Sequence, residues 1–273
     1  MNKSDKMVER RRVAILLGEP SNYDTLAFRY FILALNQLQT LYEFYFPDYE
    51  IKFAAQKYSE NRLIEMIKSA RHELSPRPDY LIVIITSSIS GNLFFVTLGR
   101  VAAITTDVWE KYFSPPSLFE FLLHCIAANL LFMHPALDLD PHNEEIRGCV
   151  LDYTKVKEHD RVDIALGYIC DEDAEHIRNA IDEAYLHGMR SVISRRWIGS
   201  IDDNGSVAYN LKHFFRFDIA RDSGFNKTLW ERTRDMLDEL PTEGLKAILT
   251  TIITIVVTAV ITAVLVFIGL RRG

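Results

Sequence analysis

From Ala247 to Leu270 the chain carries no charged residue, with Lys246 at one end and Arg271-Arg272 at the other. As a helix this stretch would run about 36 Å at 1.5 Å per residue. The hydrocarbon core of a bilayer is ~30 Å thick and needs ~20 apolar residues to cross. A buried core helix would have to be unusually long and apolar all round, so the segment reads as a single membrane span. Its place in the sequence makes it a tail anchor, expected to insert after translation. Lys227, Arg232, Arg234 and Lys246 precede it and Arg271 and Arg272 follow, a slight positive-inside bias. The expectation is a single-pass protein of the cell membrane with a cytoplasmic domain at 1–240, a juxtamembrane linker at 241–246 opening at Pro241, and the transmembrane helix at 247–270.

Thr250, Thr254, Thr258 and Thr262 recur every four residues in this span, with Ala259 and Ala263 beside them. Small residues at that spacing share one helix face and let two backbones approach closely. The stripe is either ordinary β-branched filler or a self-association face, which in an oligomer could line a pore. If it is an association face, Leu at both Thr254 and Thr258 should abolish activity and leave membrane insertion intact. A fully active double variant would discard the idea.

The whole sequence is 48% hydrophobic and 25% charged, enough for a packed core. The net charge is −6 and no basic face stands out, which argues against a nucleic-acid partner. Arg10-Arg11-Arg12 reads as a solvated lead-in to a strand. The cysteines, Cys125, Cys149 and Cys170, are too few for a disulfide framework and fit a reducing compartment. Met1 to Arg12 is charged and lacks the apolar core of a signal peptide.

Val13 to Gly18 and Tyr80 to Thr86 are short apolar runs, predicting buried strands. Tyr42 to Phe46 and Tyr49 to Ala54 are strand-like around a Pro47-Asp48 turn, and Leu93 to Leu98 and Val101 to Thr105 are strand-like around Gly99. Helical spacing covers Tyr23 to Leu41 and Ser59 to Leu74. Ser117 and Glu120 form a capping box for a strongly apolar helix reaching about Met133. Val162 to Tyr168, Asp171 to His187 and Lys227 to Leu240 complete the helices. Strands alternating with helices predict an α/β fold, a mixed sheet with flanking helices.

No Gly-rich phosphate loop or Gly-x-Ser-x-Gly elbow is present. His124 and His134 stand ten residues apart, with His142 beyond, a spacing that could serve zinc or another divalent metal. Glu120 shares a helical face with His124, and Asp138 and Asp140 follow in a polar loop, so a different divalent site could form there. The plainer reading is a core histidine and a solvated loop. Arg147, Cys149 and Cys170 outline a candidate pocket, Arg147 serving either in an ion pair or as an anion contact.

The order of elements resembles archaemetzincins, a family of α/β zinc metallopeptidases of the metzincin type. The resemblance runs from about Val13 to Leu186. His124 and His134 match the first and third histidines of the family's motif, but Cys125 replaces the general-base Glu, Ala128 the second His and Leu131 the turn glycine. Further on, Arg147 to Tyr153, Asp163-Ile164 and Cys170-Asp171-Glu172-Asp173 follow the layout of later family segments. Asp173 stands in place of the last cysteine and Pro135 follows His134, so the family's second, cysteine-rich zinc site is expected to be lost as well. The resemblance implies a peptidase-derived fold without peptidase chemistry.

The leading expectation is a membrane-anchored, non-enzymatic sensor or effector, as in antiphage defence, that responds to a small-molecule or protein ligand by homo-oligomerising through its transmembrane helix in membrane lipid. Its rivals are a divergent metal-dependent hydrolase near the membrane and a passive scaffold.

Overall fold

The computed structural model describes residues 10–107, 109–142, 146–153, 156–224 and Thr233. The expected helix at 227–240, the linker at 241–246 and the transmembrane helix at 247–270, with its Thr and Ala stripe, lie outside the described residues. The described residues from 10 to 224 belong to one compact unit, Met1–Asn226. Among the described residues no helix is long and apolar enough to cross a membrane.

The elements run β1 (Arg11–Leu17), α1 (Thr25–Leu38), β2 (Tyr42–Tyr45), β3 (Lys57–Tyr58), α2 (Glu60–Glu73), β4 (Tyr80–Ile85), β5 (Ser88–Ile89), β6 (Phe95–Leu98), β7 (Val101–Thr105), α3 (Trp109–Tyr112), α4 (Leu118–Phe132), α5 (Asp160–Leu166), α6 (Asp171–Ala180), α7 (Glu183–Ile193) and α8 (Val207–Phe215). The five-stranded sheet has the order β2-β1-β4-β7-β6. All neighbours are parallel except the edge hairpin β6–β7. The fold is therefore α/β with a mixed sheet and flanking helices.

Alternation along the strands sends side chains to two cores. Val13, Ile15, Ile82 and Ile84 join Phe28, Phe31 and the apolar residues of α4 and α7 on one face. Ala14, Leu16, Leu81 and Val83 meet Leu63, Ile64 and Ile67 of α2 on the other. Covered on both faces, β4 buries all six of its residues, which is why it reads as an unbroken apolar run.

Two predicted elements come out differently. Residues 49–54 form no strand; Lys52 makes only an isolated bridge to Glu19. The helix expected over 171–187 is two helices, because the chain turns at Ile181 and Asp182 caps a new start, its carboxylate accepting from the Tyr185 N–H at 2.7 Å.

The capping box of α4 is present, with Ser117 Oγ accepting from Glu120 N–H and Glu120 Oε2 accepting from Ser117 N–H at 3.0 Å. Residues Leu118 to Leu131 of this helix are buried except Glu120. It is enclosed on every side, so its apolar character shows no stripe.

Candidate metal centre

The loop that follows α4 has little regular structure of its own and is stitched by isolated bridges. His142 bridges Asp152, and Cys149 bridges Tyr168. The His142 N–H donates to the Leu151 carbonyl at 3.0 Å and Val150 N–H to that of Tyr168 at 2.8 Å. Asp152 Oδ2 accepts from the N–H groups of Arg147 at 2.6 Å and Cys149 at 3.0 Å, fixing the turn that presents the Cys149 thiol. Cys170 is the N-cap of α6 and Asp173 lies three residues into it, so both side chains project from the same side of the first turn.

These segments bring His142, Cys149, Cys170 and Asp173 together, one donor atom from each lying within 4.8 Å of all the others. Asp173 Oδ2 is the hub. It lies 2.8 Å from His142 Nε2 and accepts from the Cys149 thiol at 3.1 Å and the Cys170 thiol at 3.0 Å. Burial is the main cause raising both thiol pKa values, so without a metal both thiols stay protonated.

The donor set fits zinc. Two thiolates, an imidazole and a carboxylate are its usual ligands, and a tetrahedral ion at their normal bond lengths sets neighbouring donors about 3.3–3.8 Å apart. His142, Cys149, Cys170 and Asp173 would hold the ion and close all four positions. The first turn of α6 adds a positive dipole end that favours thiolate. Asp173, which the sequence suggests as a lost ligand, offers a carboxylate oxygen to the cluster. The spacing that could have revealed it is Cys170-x-x-Asp173 at a helix start.

Beside this cluster, Asp152 and Asp163 form a buried carboxyl pair. Burial first, and then the charges of Asp152 and Asp160, push Asp163 up to about 8, so Asp163 holds a proton at neutral pH.

Of the three histidines considered as ligands, only His142 joins the cluster; His124 and His134 stand outside it. The His124 side chain is buried in α4, its Nδ1 without a hydrogen-bond partner, and burial aided by Arg195 lowers its pKa to about 3. The His134 ring lies tilted against that of Tyr185, centroids 4.9 Å apart, accepts from the Ala136 N–H through Nδ1, and has its pKa lowered to about 4 by burial and Arg11. Glu120 is committed elsewhere, to its capping box and to Arg195 at 2.7 Å, and Asp138 and Asp140 are exposed. Within the candidate pocket, Cys149 and Cys170 meet, while the Arg147 guanidinium turns outward to pair with Glu172 at 2.7 Å on the surface.

No protein-family profile matches this sequence, and no curated protein sequence matches it. Among solved structures, the chain is similar to the archaemetzincin of Methanopyrus kandleri, with 13% identity and a TM-score of 0.43 over 64% of this chain and 97% of that one.

Proposed function

We propose that this protein is a membrane-tethered, non-enzymatic α/β module in which a zinc ion clips the loop after α4 to the start of α6. The observation that carries the reading is the convergence of His142, Cys149, Cys170 and Asp173, a closed set of four donors. A catalytic zinc keeps one position open for water, whereas a structural zinc is ringed by protein ligands. The zinc supplies cross-linking here; the chain's own residues supply orientation, through Asp152 on the Cys149 turn and the N-cap position of Cys170.

The membrane part rests on the uncharged stretch at 247–270 and its small-residue stripe. In this reading the α/β module senses a small molecule or protein, its oligomerisation raises the local concentration of the helices, and their association gives the output. Antiphage defence is a setting in which such an effector would serve.

Metal analysis of the purified full-length protein tests the reading. One zinc per chain is expected, retained in a His124→Ala/His134→Ala variant and lost in Cys149→Ser/Cys170→Ser. Zinc that follows His124 and His134 instead would favour the metal-dependent hydrolase.

A further inference from the structure

A second polar site lies away from the metal centre, beside the β6–β7 turn. A cavity of about 430 Å³ opens between the last turn of α2, the connection to β4 and that turn. Its polar lining is Lys68, Arg71, His72, Arg77 and Arg100, and no acidic residue lines it. Three separate stretches of chain thus send cations to one place.

Arg71 is the fixed member. It is 9% exposed, and its Nη2 donates to the carbonyls of Pro78 at 2.6 Å and Asp79 at 3.0 Å. Its Nε is buried and has no hydrogen-bond partner. Burial lowers its pKa first, Arg77 and Arg100 lower it further, and only Asp79 opposes them. Arg77 reaches His72, with Nη2 3.4 Å from Nε2. Among the described residues, Lys68, Arg77 and Arg100 make no ion pair.

The nearby acids are turned to other tasks. Glu73 accepts from the Tyr49 hydroxyl at 2.7 Å, and Asp79 accepts from the Arg12 N–H at 2.8 Å. Basic residues in the last turn of α2 complement the helix dipole, which accounts for Arg71 and His72. It accounts for neither Lys68, a turn earlier, nor Arg77 and Arg100, which come from outside the helix. Gly99 completes the wall at φ +64°, where an added Cβ would meet nothing within 4 Å, so the approach over the turn is open.

We propose that this cavity binds a phosphate monoester. Arg71 is the fixed charge, held by its two carbonyl bonds, and the exposed Arg77, Arg100 and Lys68 supply the donors. Planar guanidinium forks match phosphate oxygens two at a time, and a dianion answers the excess of cations better than a single carboxylate. The source is either a soluble ester or a lipid headgroup of the same chemistry.

Titration of the full-length protein in detergent with inorganic phosphate, followed by calorimetry, tests the site. Arg77 and Arg100 are exposed, so Arg77→Ala/Arg100→Ala removes charge without opening the core. Binding should weaken about tenfold or more in that variant, since each charge-assisted bond carries at least that factor. It should be unchanged in the remote surface control Lys57→Ala. Repeating the titration in phosphatidylcholine nanodiscs with and without phosphatidic acid separates the sources. A headgroup site loses its phosphate response only when phosphatidic acid is present; a site for a soluble ester responds in both. Absence of phosphate binding to the wild type, or equal binding by the double variant, would overturn the proposal.

Discussion

Serine in place of Cys149, or asparagine in place of Asp173, is expected to strip zinc from the protein and lower its melting temperature by about 10 °C. The size follows from what the loop lacks. Between the end of α4 and the start of α5, the described residues are held by isolated bridges and by Asp152 accepting two backbone N–H groups. Zinc would join that loop to α6 at two points each, through His142 and Cys149 on one side and Cys170 and Asp173 on the other. In small zinc modules the binding energy reaches about 10 kcal/mol and is folding energy. Here the sheet stands without it, so a fraction of that is at stake, on the order of 3–5 kcal/mol. A chelator should reproduce the effect on the wild type. Hydrogen exchange should localise it, with amides of Val150, Asp152 and Tyr153 losing protection while those of Ile82 and Val83 in β4 keep theirs. Equal melting of the metal-loaded and chelated protein would show that the cluster is not a structural clip.

What a sequence shows well here is whatever depends on neighbours along the chain. The buried strands β1 and β4 announce themselves as short apolar runs, and the start of α4 is written in Ser117 and Glu120. Residues 49–54 carry the same strand-like composition, yet Ile51 and Phe53 are buried against α2 and the β3–β5 region without a partner strand. Burial, and not pairing, set that pattern. The metal cluster is hidden for the opposite reason. His142 is read in the sequence with His124 and His134, and Cys149 and Cys170 with Arg147; only the tertiary crossing of the loop over α6 regroups them into one site. Asp173 is the plainest case, since a carboxylate in a first helical turn is also what a helix dipole favours. The cationic cavity is as inconspicuous, because Lys68, Arg77 and Arg100 each resemble solvated surface until the fold sets them around Arg71.

Replacing His124 by leucine is expected to stabilise the protein, modestly at pH 7 and strongly in acid. His124 is 7% exposed within α4, the Arg195 guanidinium disfavours its charged form, and its Nδ1 has no partner. Leaving such a group buried costs about 1–3 kcal/mol, while a volume-conserving apolar swap costs under about 1.5 kcal/mol, so the exchange gains about 1 kcal/mol at neutral pH. The acid effect has a definite sign. With its folded pKa depressed to about 3, His124 stays neutral in the native state while the unfolded chain takes up a proton below about 6.5. Unfolding then binds a proton, and stability drains away as pH falls from about 6.5 towards 3, by about 2–3 kcal/mol at pH 4.5. Leucine removes that loss, so the variant should melt about 2–4 °C higher than the wild type at pH 7 and about 8 °C higher at pH 4.5. His134, lowered to about 4, leaves a smaller acid sensitivity of the same sign in the variant. A metal ligand would behave in the reverse way. If leucine at position 124 lowered the melting temperature at both pH values and released zinc, His124 would belong to a metal centre, and the non-enzymatic reading would fail with it.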